Sequence, residues 1–425
     1  MIAAPSSGSG KTVITLALLR AFKNAGINVQ SAKAGPDYID PQFHAIASKS
    51  SSINLEPWGM SEDKLKYFAN AQNGELLICE AMMGLFDGGA DGKGSAADLA
   101  KTLGMPVVLV IDCAKQSHSV AALVGGFVKY DEAVQVAGVI LNKVGSQRHE
   151  SILRDALGKI NMSVFGVVYR DEKLKLPSRH LGLVQAGEQD NIEDFIEGAA
   201  QTIAQNCDMA LLQQCAAPLF NSVDTPAELF TAPLGKHIAI AKDEAFSFIY
   251  PHLILEWEKQ GAHISYFSPL ADEAPNENAD AIYLPGGYPE LHAQKLQDAT
   301  QFHSAMHTAK ARGVLIYGEC GGYMVLGESI IDATGKAHKM LGLLNLQTSF
   351  EKRKLHLGYR RLEALDSFVM GQKLAAHEFH YTVAIKEEGT PLFNAKDALG
   401  IDVGNVGLRA DNVMGSYMHI ISRDV

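Results

Sequence analysis

Between Ala3 and Thr12 the chain reads AAPSSGSGKT, and an apolar pattern of helical period follows at once from Val13 to Phe22. A glycine-rich turn that ends in Gly-Lys-Thr at a helix start is a cradle for phosphate. Gly8 and Gly10 let backbone N–H groups curl around phosphate oxygens, Lys11 reaches the β and γ phosphates of ATP, and the Thr12 hydroxyl can hold Mg²⁺. Such a cradle works only where a strand delivers the loop and a helix leaves it. It therefore commits the first half of the chain to an open α/β sheet with its ligand at the strands' C-terminal ends. The pattern is not perfect: Pro5 stands where GxxxxGK[ST] has its first glycine, and only Ile2 to Ala4 remain as the feeding strand.

The rest of the sequence agrees. Short β-branched runs at Leu76–Cys79, Val107–Ile111, Val136–Leu141 and Val164–Val168 alternate with helical stretches, the βαβ pattern of a parallel sheet. A second series begins at His237–Ala241 and continues through Ala281–Leu284 and Val314–Tyr317. Between the two, Pro218, Pro226 and Pro233 interrupt a stretch without strand pattern. The expected organisation is an α/β domain over 1–204, a linker over 205–235 and a second α/β domain over 236–425. A length of 425 residues suits this division, at roughly 100–200 residues per domain.

Composition narrows the function. Apolar residues make up 47% and charged residues 20%, which describes a folded chain. The net charge of −11 argues against a nucleic-acid or anionic-membrane binder, though a local basic patch could still hold an acidic substrate. No apolar run reaches the roughly 20 residues of a membrane span, and no signal peptide is expected, since the N-terminus runs almost directly into the glycine-rich loop without a charged region and an apolar stretch behind it. Five cysteines, widely spread and never in a CxxC pair, fit a reducing cytoplasm better than a disulfide framework.

Two further segments supply acids for a nucleotide-bound metal. Lys33-Ala-Gly-Pro-Asp-Tyr-Ile-Asp40-Pro forms a proline and glycine loop able to aim Lys33, Asp37 and Asp40 at one point. Glu80 ends an apolar run and opens Glu80-Ala-Met-Met-Gly-Leu-Phe-Asp87. In the second half, Gly318-Glu-Cys320-Gly-Gly follows a strand pattern directly, as a nucleophile elbow does. The tight turn exposes the thiol, and the Gly321 N–H together with the Leu284-Pro-Gly-Gly287 turn can hold an oxyanion. A base must come from elsewhere in the fold: His419 after Gly415-Ser-Tyr-Met is favoured, with His377 and His380 of HEFHYT as rivals that line the cleft or sit in the core.

These segments resemble one family over nearly the whole chain. IAAPSSGSGKT, KAGPDYIDP, NLEPW, EAMMGLFDGG, GVILNKVGSQRHE, RHLGLV, FSPLADE, LPGGYPEL, GECGGYMVLG, LGYR and HEFHYT, in this order, are similar to cobyrinate a,c-diamide synthase. The resemblance implies a P-loop NTPase-like domain of the dethiobiotin-synthetase type joined to a class I glutamine amidotransferase domain of flavodoxin-like fold, each a three-layer α/β sandwich. It implies ATP and Mg²⁺ as cofactors, L-glutamine and cobyrinate as substrates, and amidation of the a and c acetates in cobalamin biosynthesis, with a homodimer left open. Carried over, Lys11 and Thr12 match the nucleotide loop, Asp37 and Glu80 the Mg²⁺ acids, and Lys33 a lysine near the transferred phosphate. Asp40 and Asp87 match acids of the corrinoid cleft, Asn142 an adenine contact, and Cys320 and His419 the glutaminase pair. Ile421 stands where class I enzymes outside this family place the glutamate that orients the base, so a Cys/His dyad is expected.

Other readings keep the chemistry and change the ring to hydrogenobyrinate, nickel sirohydrochlorin or a cobyric acid precursor, or make the chain a P-loop switch ATPase with a degenerate second half. Two basic stretches offer themselves to a polyanionic ring: Arg148-His149 with Arg179-His180, and Lys352-Arg353-Lys354 with Arg360-Arg361.

Overall fold

A computed structural model describes residues 1–176, 178–179, 182–183, 191–219 and 229–424. The chain divides into two compact units, Met1–Thr225 and Pro226–Val425.

The first unit is built on seven parallel strands: β1 (Ile2–Ala3), β2 (Val29–Ala34), β3 (Ser52–Leu55), β4 (Leu76–Glu80), β5 (Val107–Asp112), β6 (Val136–Val144) and β7 (Val164–Tyr169). Their order is β3-β2-β4-β1-β5-β6-β7, so the shortest strand lies at the centre. Ile2 pairs with Glu80 on one side and Val108 on the other, which leaves the following loop at the middle of the sheet's C-terminal edge. The central strands β4, β1 and β5 are apolar up to the acidic residues Glu80 and Asp112 that end β4 and β5. Helix α1 (Lys11–Asn24) leaves the loop and buries Ile14, Leu16, Leu18 and Phe22, and α2 (Asp40–Ser48) starts at the end of the Lys33–Asp40 segment with Pro41 in its first turn.

The segment expected as a linker is structured in its first part. The helix Ile192–Asn206 runs into it, Cys207 bridges to Gly166 of β7, and a further helix spans Met209–Gln214. Leu212 is buried, so 205–214 belongs to the first unit's packing. Residues 220–228 of that segment, and His180 with the side chain of Arg179, lie outside what the structure describes.

The second unit holds a mixed sheet of ten strands. Its parallel half runs His263–Phe267, His237–Ala241, Ala281–Leu284, Leu315–Glu319, Val413–Ser416. Its antiparallel half continues through Asp402–Ala410, Thr390–Asp397, His356–Ala364 and Lys373–His380 to Met418–Arg423. Val413–Ser416 and Met418–Arg423 are separated by Tyr417 alone, yet they stand at the middle and at one end of this order. The antiparallel half must therefore curl back on itself. The sequence reading foresaw the parallel half; the α/β class holds, with the curled antiparallel extension added.

Candidate functional site

In the first unit the loop, α1, α2 and the end of β4 converge. Gly10 has φ of +91°, and a Cβ there would lie 2.3 Å from Asn142 Nδ2, so both backbone and space demand glycine. Asn142 Nδ2 donates to Ser9 O at 2.9 Å, and Lys143 Nζ donates to Gly8 O at 3.0 Å and to Asp112 Oδ2 at 2.7 Å. The end of β6 thus holds the loop's shape; Asn142, expected at the adenine, is engaged with the loop backbone. Lys11 is buried and donates from Nζ to Met83 O at 2.5 Å, and burial lowers its pKa against the pull of Glu80.

The acids form one connected cluster. Thr12 Oγ1 donates to Glu80 Oε1 at 2.7 Å and to Asp40 Oδ2 at 3.3 Å. Lys33 Nζ lies 2.5 Å from Asp40 Oδ2, 3.1 Å from Glu80 Oε1 and 3.4 Å from Asp37 Oδ2. Burial disfavours the Lys33 charge, but Asp40, Glu80 and Asp37 outweigh it and push its pKa well up. Burial also works against the Glu80 charge, and Lys33 with the His44 hydrogen bond at 2.7 Å holds the carboxyl below its ordinary range all the same. Asp40 is raised to about 7 by burial and by Asp37 beside it.

Asp40, expected on the corrinoid side, is the second acid against Thr12, whereas Asp37 reaches the group through Lys33 and caps the N–H groups of Ile39 and Asp40. Lys33, expected near the transferred phosphate, lies among the three carboxylates. Asp87 Oδ2 accepts from Gly84 N at 2.8 Å and shapes its own turn. His44, which sequence reasoning missed, sits one helical turn after Asp40, and that spacing was its available signal.

In the second unit Cys320 follows the strand Leu315–Glu319 and precedes the helix Gly321–Leu326. Its φ of +45° and ψ of −105° are costly for a non-glycine residue and persist because the surrounding packing fixes them. The thiol is buried, 3.8 Å from Phe379 O, and burial followed by the nearby Glu290 carboxyl pushes its pKa up. The adjacent strand ends in Pro285-Gly286-Gly287. A Cβ on Gly286 would lie 3.3 Å from Cys320 Cβ, 3.3 Å from His419 Nε2 and 2.4 Å from His419 Cε1, so thiol and imidazole flank one point. A Cβ on Gly321 would lie 3.0 Å from Gly287 N, which brings the two expected oxyanion residues against each other.

His419 pairs with His377 across the antiparallel strands, and burial, then His377 and His380, lower its pKa to about 3, which leaves a neutral ring able to accept a proton. His380 stacks on Tyr417 at 4.0 Å and bonds to Glu378 Oε1 at 3.1 Å. His356, Glu378 and His380 have metal-ligand spacing, but Arg360 already sits 2.5 Å from the Glu378 carboxylate and makes the trio an ion-paired brace. That contact also divides the second basic stretch. Arg360 and Arg361 are successive in one strand and turn to opposite faces, Arg360 to Glu378 and Arg361 to Asp424. Among the described residues no helix is long and apolar enough to cross a membrane.

Residues 1–184 match the CobQ/CobB/MinD/ParA nucleotide binding domain family, and residues 237–424 match the CobB/CobQ-like glutamine amidotransferase domain family. The chain is 55% identical over 424 residues to the hydrogenobyrinate a,c-diamide synthase of Rhizobium meliloti, covering 99% of this chain and 98% of that protein. It is 54% identical over 427 residues to the protein of the same name from Brucella anthropi, and 46% identical over 430 residues to that of Rhodobacter capsulatus, at the same coverage.

Proposed function

The chain belongs to the a,c-diamide synthase family, and from that premise we propose that it amidates the a and c acetates of a cobyrinate-type corrinoid with ATP and glutamine-derived ammonia, in cobalamin biosynthesis. The observation that carries this reading is the match to the synthases over the full length, with a phosphate cradle in one unit and a thiol–imidazole pair in the other. The same pair speaks against a degenerate amidotransferase attached to a switch ATPase.

His419 takes the proton of Cys320, and the thiolate attacks the glutamine amide. The backbone N–H groups of Gly321 and Gly287 stabilise the oxyanion, ammonia leaves with the proton returned by His419, and water releases glutamate from the thioester. In the first unit, an acetate carboxylate of the ring attacks the γ-phosphorus of ATP, ADP departs, and ammonia displaces phosphate from the acyl phosphate. Lys11 and the loop amides hold the phosphates for in-line transfer. The oxygen donors of Thr12, Glu80, Asp40 and Asp37 suit Mg²⁺, which when bound neutralises phosphate charge.

The relatives' names support the metal-free ring, hydrogenobyrinate, ahead of the cobalt form. Incubation with ATP, Mg²⁺ and glutamine, together with hydrogenobyrinate, cobyrinate or nickel sirohydrochlorin in turn, tests the proposal. Two added amides by mass on one of the first two rings are expected. No amide on any ring, with ATP and glutamine both turned over, would overturn the substrate assignment.

A further inference from the structure

Position 421, two residues beyond the base, is an isoleucine with no exposed surface, so His419 has no acidic neighbour on its own strand. The structure supplies one from the nucleophile's strand. Glu319, immediately before Cys320, places Oε2 3.9 Å from His419 Nδ1, and the two side chains are each 1% exposed. The carboxylate is held at both ends: Oε1 accepts from Ile420 N at 3.2 Å, on the strand that carries His419, and Oε2 accepts from Tyr283 Oη at 2.7 Å. The imidazole is correspondingly divided. Its Nε2 side faces the point above Gly286 shared with Cys320, and its Nδ1 side faces Glu319.

We propose that Glu319 is the positioning residue of the glutaminase pair, orienting His419 from the Nδ1 side and stabilising the imidazolium formed when Nε2 takes the Cys320 proton. A carboxylate facing Nδ1 favours the tautomer with the proton on Nδ1, which leaves the Nε2 lone pair free for the thiol. The proton gained at Nε2 is later passed to departing ammonia, so the imidazole ends as it began and Glu319 stays unprotonated throughout. The separation of 3.9 Å is longer than a hydrogen bond, and contacts of this kind tighten when substrate fills the site. Without a counter-charge an imidazolium here would be costly, since burial, His377 and His380 all oppose it.

Glu319 must be ionised to act, and burial raises its pKa to about 7. The titratable groups facing it are Tyr283 and Tyr317 on the parallel strands and His419, while Cys320, next in the chain, also feels Glu290, itself raised to about 7 by burial. Beyond His419, the strand Lys373–His380 contributes His377, Glu378 and His380.

The proposal rests on the amidotransferase reading, and the test separates the two. Glutamine hydrolysis by the full chain is followed against pH for the native protein, Glu319→Gln and Glu319→Asp. In Glu319→Gln, kcat is expected to fall about a hundredfold with the KM for glutamine within about twofold. The native acid limb near pH 7 is expected to vanish in Glu319→Gln and to persist, shifted, in Glu319→Asp, whose carboxylate is merely withdrawn by one methylene. A kcat within threefold of native in Glu319→Gln, or an acid limb that survives there through Glu290, would overturn the assignment. Should Glu319→Gln fail to fold, the pH dependence of Cys320 alkylation by iodoacetamide in Glu290→Gln, which removes the other carboxyl raised to about 7, decides. An inflection near 7 supports the proposal, and its absence overturns it. Hydrolysis that survives in Cys320→Ala would instead refute the amidotransferase reading itself.

Discussion

Gly286→Ala isolates the geometry of the glutaminase pair from everything else in the molecule. The backbone at Gly286 lies outside the left-handed region, so alanine meets no conformational penalty, and its methyl group would contact the two reacting side chains. The new Cβ would stand 2.4 Å from His419 Cε1 and 3.3 Å from Cys320 Cβ, where ordinary carbon contacts begin near 3.4 Å. The imidazole therefore has to retreat by about 1 Å, and a displacement of that size costs about a hundredfold in rate. Overpacking of this kind destabilises by about 1–3 kcal/mol, so melting curves should show a folded protein at assay temperature. The assay is glutamine hydrolysis beside amidation driven by added ammonium salt. Hydrolysis should fall about a hundredfold while the ammonium-driven reaction continues, because the first unit does not use the thiol. Hydrolysis within threefold of native in a folded variant would refute the placement of thiol and imidazole on either side of Gly286.

Cys320→Ala should abolish glutamine-driven amidation and retain the ammonium-driven reaction, measured as amides added to the ring. Glu80→Gln should stop amidation from either nitrogen source yet leave Cys320 reactive toward a glutamine analogue, since it removes a buried partner of Thr12, Lys33 and His44. Stability offers a separate check on Glu319, whose folded pKa is raised from its ordinary 4.5 to about 7. Between those values the unfolded chain loses its proton first, so the native protein loses stability as pH rises through the window. Glu319→Gln should therefore match native stability near pH 4 and exceed it by about 1–3 kcal/mol at pH 8, read from denaturant unfolding.

The parallel halves of both sheets were legible because their signals are local. A glycine-rich loop, a β-branched run and a Gly-x-Cys-Gly-Gly turn each declare strand and helix within about ten residues. The central place of β1 was less legible, since two residues carry little pattern and its pairing with β4 and β5 is a tertiary fact. The contacts of Lys33 and His44 were not legible because they are made to Glu80, which arrives from a distant strand. Arg360 and Arg361 read as one basic stretch in sequence, and strand alternation separates them. Glu319 was hidden by its neighbour: beside a nucleophile an acidic residue reads as part of the turn, and only the curl of the sheet brings His419 to it.

The single residue between Val413–Ser416 and Met418–Arg423 has a consequence for the order in which the chain matures. Met418–Arg423 finds its partner only after Lys373–His380 has been laid down, and the curl between them spans the antiparallel strands. His419 rides on that closing strand, so an incompletely folded second unit holds a thiol with no base beside it. Glutaminase activity would then serve as an internal assay of assembly: a half-finished molecule cannot waste glutamine, and the first hydrolysed amide marks a chain whose last sheet contact has been made.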